Sequence, residues 1–236
     1  MINYIKKIVE KVLDTYMLPI PSFQDYVNTR YNKEGYYTIN KQFLKGLYFV
    51  YDGLKFELSD QLDSFNSVIG DYRFEDLRKD DVVLDIGANV GVFSLLTSRQ
   101  AKHVFAVEPL YPDLVKNHLK INGITNVTVL ETGIGIGDTK RVKYGRREKI
   151  IEVRKLTEIL ERTGQCDFLK IDCEGCEWSI TANELKLFRR IEAEIHTKKH
   201  RITEFERVLR EAGFRYELED GEFNCLIHAE KIKNVV

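Results

Sequence analysis

Proline is scarce in this chain, which has four: Pro19, Pro21, Pro109 and Pro112. None follows Pro112, so the second half lacks the residue that interrupts helices and sheet ladders. Cysteine is equally rare, at four: Cys166, Cys173, Cys176 and Cys225. That is too sparse for a disulfide framework and predicts reduced thiols. An excess of either charge is missing as well. The formal net charge of −1 leaves no global field to draw in nucleic acid or a membrane, so an anionic partner would need local patches. No apolar run approaches the roughly 20 residues that cross a bilayer. Lysines and Glu10 interrupt the apolar residues at the N-terminus, which excludes a signal-peptide pattern there and predicts a cytoplasmic protein. Repeats and low-complexity segments are absent too.

What is present suits a folded domain. The 236 residues are 43% hydrophobic and 31% charged, enough for one large domain or one domain with a small extension. The pattern divides the chain into an extension at 1–80 and a main domain at 81–236. Ile5, Val9, Val12 and Tyr16 recur at helical spacing within residues 1–16. A helix packed on the main domain is expected there, with a membrane-surface helix as the alternative. Residues 47–58, LYFVYDGLKFEL, read as a hairpin turning at Asp52-Gly53.

From residue 81 the pattern changes. DVVLDIG, HVFAVE, NVTVL, DFLKID, RIEAEIH, FRYEL and FNCLIHAE read as strands. Helical patterns lie at 92–100, 110–122, 177–188 and 202–214, with a further helix starting near Lys155. This alternation predicts an α/β, doubly wound, mostly parallel sheet. The loop LEDGEF is too short for a crossover helix, so the last two strands should be antiparallel. The stretch 132–153, glycine-rich, then basic, then apolar, reads as a β-excursion or flexible flap.

The first of these strands runs into Asp85-Ile86-Gly87-Ala88-Asn89-Val90-Gly91, and a helix follows. Doubly wound folds bind nucleotides at this strand–loop–helix position. Neither the G-x-G-x-x-G pyrophosphate fingerprint nor a P-loop is complete. The expected ligand approaches the backbone closely without a pyrophosphate. Gly87 and Gly91 would clear side chains from its path, Asp85 would accept from a cationic amine, and Asn89 could bond through either amide end. S-adenosylmethionine fits that description. Glu108, at the next strand end about 20 residues on, would accept from both ribose hydroxyls. The plain alternative makes Asp85 a structural cap and Glu108 a surface charge.

Four blocks in order resemble the FkbM family of class I methyltransferases: VLDIGANVGVFS (83–94), VEP (107–109), FLKIDCEGCEW (168–178) and EIH (194–196). The third, of the form K-x-D-x-E-G-x-E, is the discriminating one. The resemblance covers about residues 81–215. It implies a seven-stranded Rossmann-like sheet and methyl transfer from S-adenosylmethionine, often to a hydroxyl oxygen. By position, Asp85, Gly87, Asn89, Gly91 and Glu108 would hold the cofactor, joined by Thr132 and Gly133. Asp172, Glu174 and His196 would lie near the acceptor.

The residues themselves sharpen this. Phe168, Lys170 and Asp172 share one face of their strand, as do Glu192, Glu194 and His196 of the next. Buried charge is costly unless paired, so Lys170 is expected to pair with Glu194, and Asp172 to approach His196. The cluster could be an acid–base site with His196 as the base. It could instead bind a divalent cation, or be structural, with Glu174 and Glu177 as helix N-terminal charges. Cys173 and Cys176 are formally C-x-x-C, but no further ligands at zinc spacing are evident. A redox role is open, though small core residues are the expectation.

Without proline after Pro112, a [DN]-P-P-[YF] motif, which resembles the signature of methylases of base amino groups, cannot exist at the fourth strand. No Pro-Cys pair is present either. Residues 139–149 and 196–201 are basic, and they are either solvated loops or a lining for an anionic acceptor. The expected acceptor is a small-molecule, sugar or lipid-linked hydroxyl, without a membrane span and with a homo-oligomer open. The competing readings are an RNA methyltransferase using those basic segments, a non-catalytic S-adenosylmethionine-binding module, and a nicotinamide-dependent oxidoreductase.

Overall fold

The computed structural model describes residues 48–57, 63–144, 147–197, 201–221 and 224–232. The helix expected over 1–16 lies outside them. The chain divides into two compact units, Met1–Asp63 and Ser64–Val236. In the first, strands β1 (Tyr48–Tyr51) and β2 (Leu54–Glu57) pair antiparallel. Asp52 and Gly53 take φ of 48° and 76° at the turn, the positive values that the Asp-Gly pair predicts for a type I′ hairpin.

The second unit begins with helix α1 (Asp63–Asp71), which starts at the boundary. Then come β3 (Val82–Ile86), α2 (Val92–Ser98), β4 (His103–Val107), α3 (Pro112–Asn122) and β5 (Val127–Leu130). Pro112 opens α3 at a position where its missing N–H costs nothing, and Gly123 closes it in the left-handed region at φ 64°. The glycine-rich stretch forms a three-stranded excursion of β6 (Gly133–Ile134), β7 (Thr139–Tyr144) and β8 (Arg147–Arg154), in the order β6-β8-β7. Helix α4 (Leu156–Thr163), β9 (Phe168–Ile171) and a short 3-10 turn (Glu177–Ser179) follow. Helix α5 (Ala182–Leu185), β10 (Arg190–His196), α6 (Ile202–Glu211), β11 (Phe214–Asp220) and β12 (Asn224–Lys231) complete the unit.

Seven strands form one sheet in the order β11-β12-β10-β9-β3-β4-β5. Strand β12 runs antiparallel to both β10 and β11, and the β9, β10, β3, β4 and β5 pairings are parallel. The last strand thus enters beside the edge, as the short loop before it requires. The expected helix over 177–188 breaks in two. Ile180 is extended at its centre, and Thr181 starts α5 with a capping box closed by Glu184. That reciprocal cap satisfies two orphan donors locally and outweighs helical continuity.

The two faces of the sheet differ in chemistry. One carries Leu84, Ile86, Leu169, Ile171, Ile191, Ala193, Ile195, Ile227 and Ala229, all in the main apolar cluster. The opposite face carries a row of charge. Strand register sets Asp85 beside Lys170, Lys170 beside Glu192, and Glu192 beside His228. All four side chains are buried, and such a row survives only because its members pair. Glu192 binds Arg190, and it accepts from His228 Nδ1 at 2.6 Å and from the Arg73 backbone N–H at 3.1 Å.

Candidate active site

The loop after β3 folds over the strand ends. Gly87 and Ala88 donate to the Val107 carbonyl at 3.0 and 3.1 Å, and Asn89 donates to Glu108 Oε2 at 2.7 Å. Oε1 of Glu108 accepts from Leu110 and Tyr111 N–H groups at 2.6 and 3.0 Å. Burial pushes the Glu108 carboxyl above its usual range, against these bonds. A carboxylate has about four acceptor sites, so these three bonds leave Glu108 acceptor capacity for a ribose hydroxyl. Asn89 Oδ1 is buried without a hydrogen-bond partner. A hydroxyl or amine donor from a bound ligand would satisfy it, so the loop fits a ribose and amino-acid ligand.

Other residues of the loop are engaged within the protein. Asp85 is wholly buried, accepts from Ser94 Oγ at 2.6 Å, and meets Lys170 Nζ at 3.2 Å. The cation it holds is the protein's own. The glycines make room for the chain itself. A Cβ on Gly87 would sit 1.7 Å from the Asp172 carbonyl oxygen, and one on Gly91 would meet Val115 and Leu95 at 3.0 and 3.1 Å. Both residues also have positive φ, at 79° and 86°. Thr132 spends its hydroxyl on the Glu152 carbonyl at 3.1 Å, and Gly133 packs on Ile151 in the excursion. Both serve the joint between β5 and β8. Lys149 bonds the Pro109 carbonyl at 3.0 Å, which brings the basic hairpin beside the Glu108 strand end.

Lys170 does not pair with Glu194. Parallel register places Glu192 opposite it. Its ammonium turns to Asp85, to the Gly87 carbonyl at 2.7 Å and to Asp172 at 3.7 Å. Burial alone would lower its pKa, but the charges of Asp85 and Asp172 raise it. Lys170 therefore ties the cofactor loop to the end of β9.

Asp172 and His196 do come together. Ligand atoms of Asp172, Glu194 and His196 all lie within 4.8 Å of one another, and Glu174 Oε2 lies 3.5 Å from His196 Nε2. Burial pulls the His196 pKa down. The Glu177 hydrogen bond and the charges of Glu174, Glu177 and Asp172 overcome this and push it up to about 9. With that pKa the metal-free ring favours its imidazolium form at neutral pH. Burial, and then the Asp172 charge, hold the Glu194 carboxyl above its usual range.

Glu177 opens the short 3-10 turn, as the structural alternative has it, but its side chain is wholly buried, and Oε1 accepts from both the backbone N–H and Nδ1 of His196, at 2.9 and 3.1 Å. The signal for it was the last acidic position of K-x-D-x-E-G-x-E. Tyr72 carried no signal. Its buried ring lies under Lys170 Nζ, 5.5 Å from the centroid. Burial, and then Asp172, raise its hydroxyl pKa well above the ordinary value. The thiols expected to be reduced at 173 and 176 are joined as a disulfide, with Cα atoms 5.5 Å apart.

Residues 85–216, more than half the chain, match the methyltransferase FkbM domain. The chain belongs to the FkbM methyltransferase family. Its domain is of the S-adenosylmethionine-dependent class. The chain is 28% identical over 109 residues to an uncharacterized protein of Methanocaldococcus jannaschii, 40% of this chain and 39% of that protein. It is 30% identical over 125 residues to an uncharacterized RNA methyltransferase of Streptococcus agalactiae, 50% of this chain and 28% of that protein. The chain thus spans well under half of the curated relatives it matches. Among solved structures, a precorrin-6y C5,15-methyltransferase from Geobacter metallireducens superposes with TM-score 0.50 and 18% identity. It covers 75% of this chain and 94% of that one, a likeness of fold. Among the described residues, no helix is long and apolar enough to cross a membrane.

Proposed function

We propose that this protein methylates a hydroxyl oxygen of a small-molecule, sugar or lipid-linked acceptor. The observation that carries this reading is the convergence of Asp172, Glu194 and His196 within 4.8 Å. They stand beside the loop that the Asp172 N–H bonds through Ile86 at 3.0 Å. When bound, S-adenosylmethionine supplies a methyl group made electrophilic by its sulfonium. Asn89 and Glu108 would hold the ribose, and the loop backbone at Gly87 would face the amino-acid end. The acceptor hydroxyl sits between Glu194 and His196. Glu194, whose raised pKa makes it the better base, takes the proton as the oxygen attacks. The imidazolium of His196 donates to the acceptor and holds it in line. Glu177, and then Glu174, keep that imidazolium charged.

The test is a labelled-methyl screen over hydroxyl-bearing glycans, lipids and RNA, with Glu194→Gln and His196→Ala. Each variant should lose at least tenfold in turnover and keep its affinity for S-adenosylhomocysteine. Unchanged turnover in both would overturn the assignment.

The RNA reading draws support from the similarity to a streptococcal protein described as an RNA methyltransferase. Against it, Arg141 of the basic hairpin is paired with Glu148 at 2.8 Å, and Lys149 with the Pro109 carbonyl. RNA binding that falls steeply with salt would favour that acceptor over a small one.

A further inference from the structure

The acceptor end of the site contains a bond that the proposed chemistry does not use. The Cys173–Cys176 disulfide closes a small ring around Glu174 and Gly175. Both enclosed residues have positive φ, 56° and 109°. Glutamate rarely adopts that conformation unless its surroundings impose it. The ring is wired to the site on either side. Asp172 immediately precedes Cys173, and Glu177 immediately follows Cys176. The Gly175 N–H donates to Glu177 Oε2 at 2.9 Å, and the other oxygen of that carboxylate holds His196. Trp178 Nε1 bonds the His196 carbonyl at 3.1 Å.

The two sulfurs differ in surroundings. Cys176 is buried in the main apolar cluster, whereas Cys173 is only half-buried at its margin. An incoming thiolate can therefore reach Cys173 first, and Cys176 is the leaving sulfur. The remaining cysteines among the described residues, Cys166 and Cys225, are free and buried.

We propose that Cys173 and Cys176 form a reversible dithiol–disulfide site. A dithiol reductant of the thioredoxin type opens it, and the bond holds Glu174 and Glu177 in place against His196. One thiolate of the reductant attacks Cys173 Sγ. The Cys173–Cys176 bond breaks, and Cys176 leaves as a thiolate that takes up a proton. The second thiol of the reductant then resolves the mixed disulfide, releasing Cys173 as a thiol and the reductant as its own disulfide. Two electrons and two protons pass to the protein. With the ring open, the backbone of Glu174 and Gly175 is released from positive φ, and the Gly175–Glu177 bond loses its support. This inference is independent of the methyl acceptor and of the catalytic roles above.

The test uses the full chain prepared in air, with dithiothreitol as the reductant probe and iodoacetamide as the label. Mass spectrometry of native protein should show no label at 173 or 176 before reduction and one on each afterwards. Hydrogen exchange should be at least tenfold faster at residues 174–178 and at the His196 amide in the reduced form. A Cys173→Ser, Cys176→Ser double variant should match the reduced form with or without dithiothreitol. If that variant does not fold, the comparison of the two wild-type states decides alone. Full labelling before reduction, or equal exchange in the two states, would overturn the proposal. So would one tightly held zinc per reduced chain, which would make the thiols metal ligands.

Discussion

The imidazole Nδ1 of His196 lies 3.1 Å from Oε1 of Glu177, a carboxylate with no exposure to solvent. Burial pushes the Glu177 pKa up, but the hydrogen bonds from His196 prevail and hold it below the usual range. Each group thus stabilises the charged form of the other.

This pair sets a pH dependence. The folded pKa of His196 is raised from 6.5 to about 9. The stabilisation is therefore present above the carboxylate range of Glu177 and below about pH 6.5, and is lost as pH rises through 9. Glu177→Gln should bring the His196 pKa down toward 6.5 and flatten stability between pH 6.5 and 9. Histidine NMR titration and urea unfolding at several pH values check this. A His196 pKa still near 9 in the variant would refute the assignment.

Gly87→Ala should cost about 3 kcal/mol or more, since the new Cβ meets the Asp172 carbonyl at 1.7 Å and φ is 79°. Thermal unfolding measures it. A melting temperature within a degree of the wild type would show that the two strand ends can part freely.

Lys170→Met leaves Asp85 buried beside its serine without a counter-charge. Breaking a buried pair by removing one partner costs roughly 3–5 kcal/mol. Adding Asp85→Asn should restore a good part of that loss. A double variant no more stable than the single one would mean that the pair is not coupled.

Asn89→Ala should weaken S-adenosylhomocysteine binding about tenfold while leaving stability within roughly 1 kcal/mol, because Oδ1 has no partner within the protein. Calorimetry and unfolding together separate the two effects. Undiminished affinity would remove Asn89 from the cofactor site.

Most of the sheet was legible because strand periodicity and strand ends are local properties. RIEAEIH, for example, matches β10 from Arg190 to His196. The short LEDGEF loop was enough to require an antiparallel pair. The continuous helix over 177–188 failed because a capping box at Thr181 competes with helix propensity at close range. The Lys170 partner failed for a different reason. Period-two alternation says which residues share a face, but it does not say how far one strand slides along its neighbour.

The chain's own order of residues determined the α/β class, the glycine loop, the acidic strand end and the family motif. These depend on spacing along the backbone, which is read without knowing what lies across the sheet. Tertiary structure alone decided that Asp85 meets Lys170, that Gly87 clears space for Asp172, and that Glu177 grips His196. Each depends on strand register and on which charges share a low-dielectric interior, and charge pairs buried there are chosen by proximity in space.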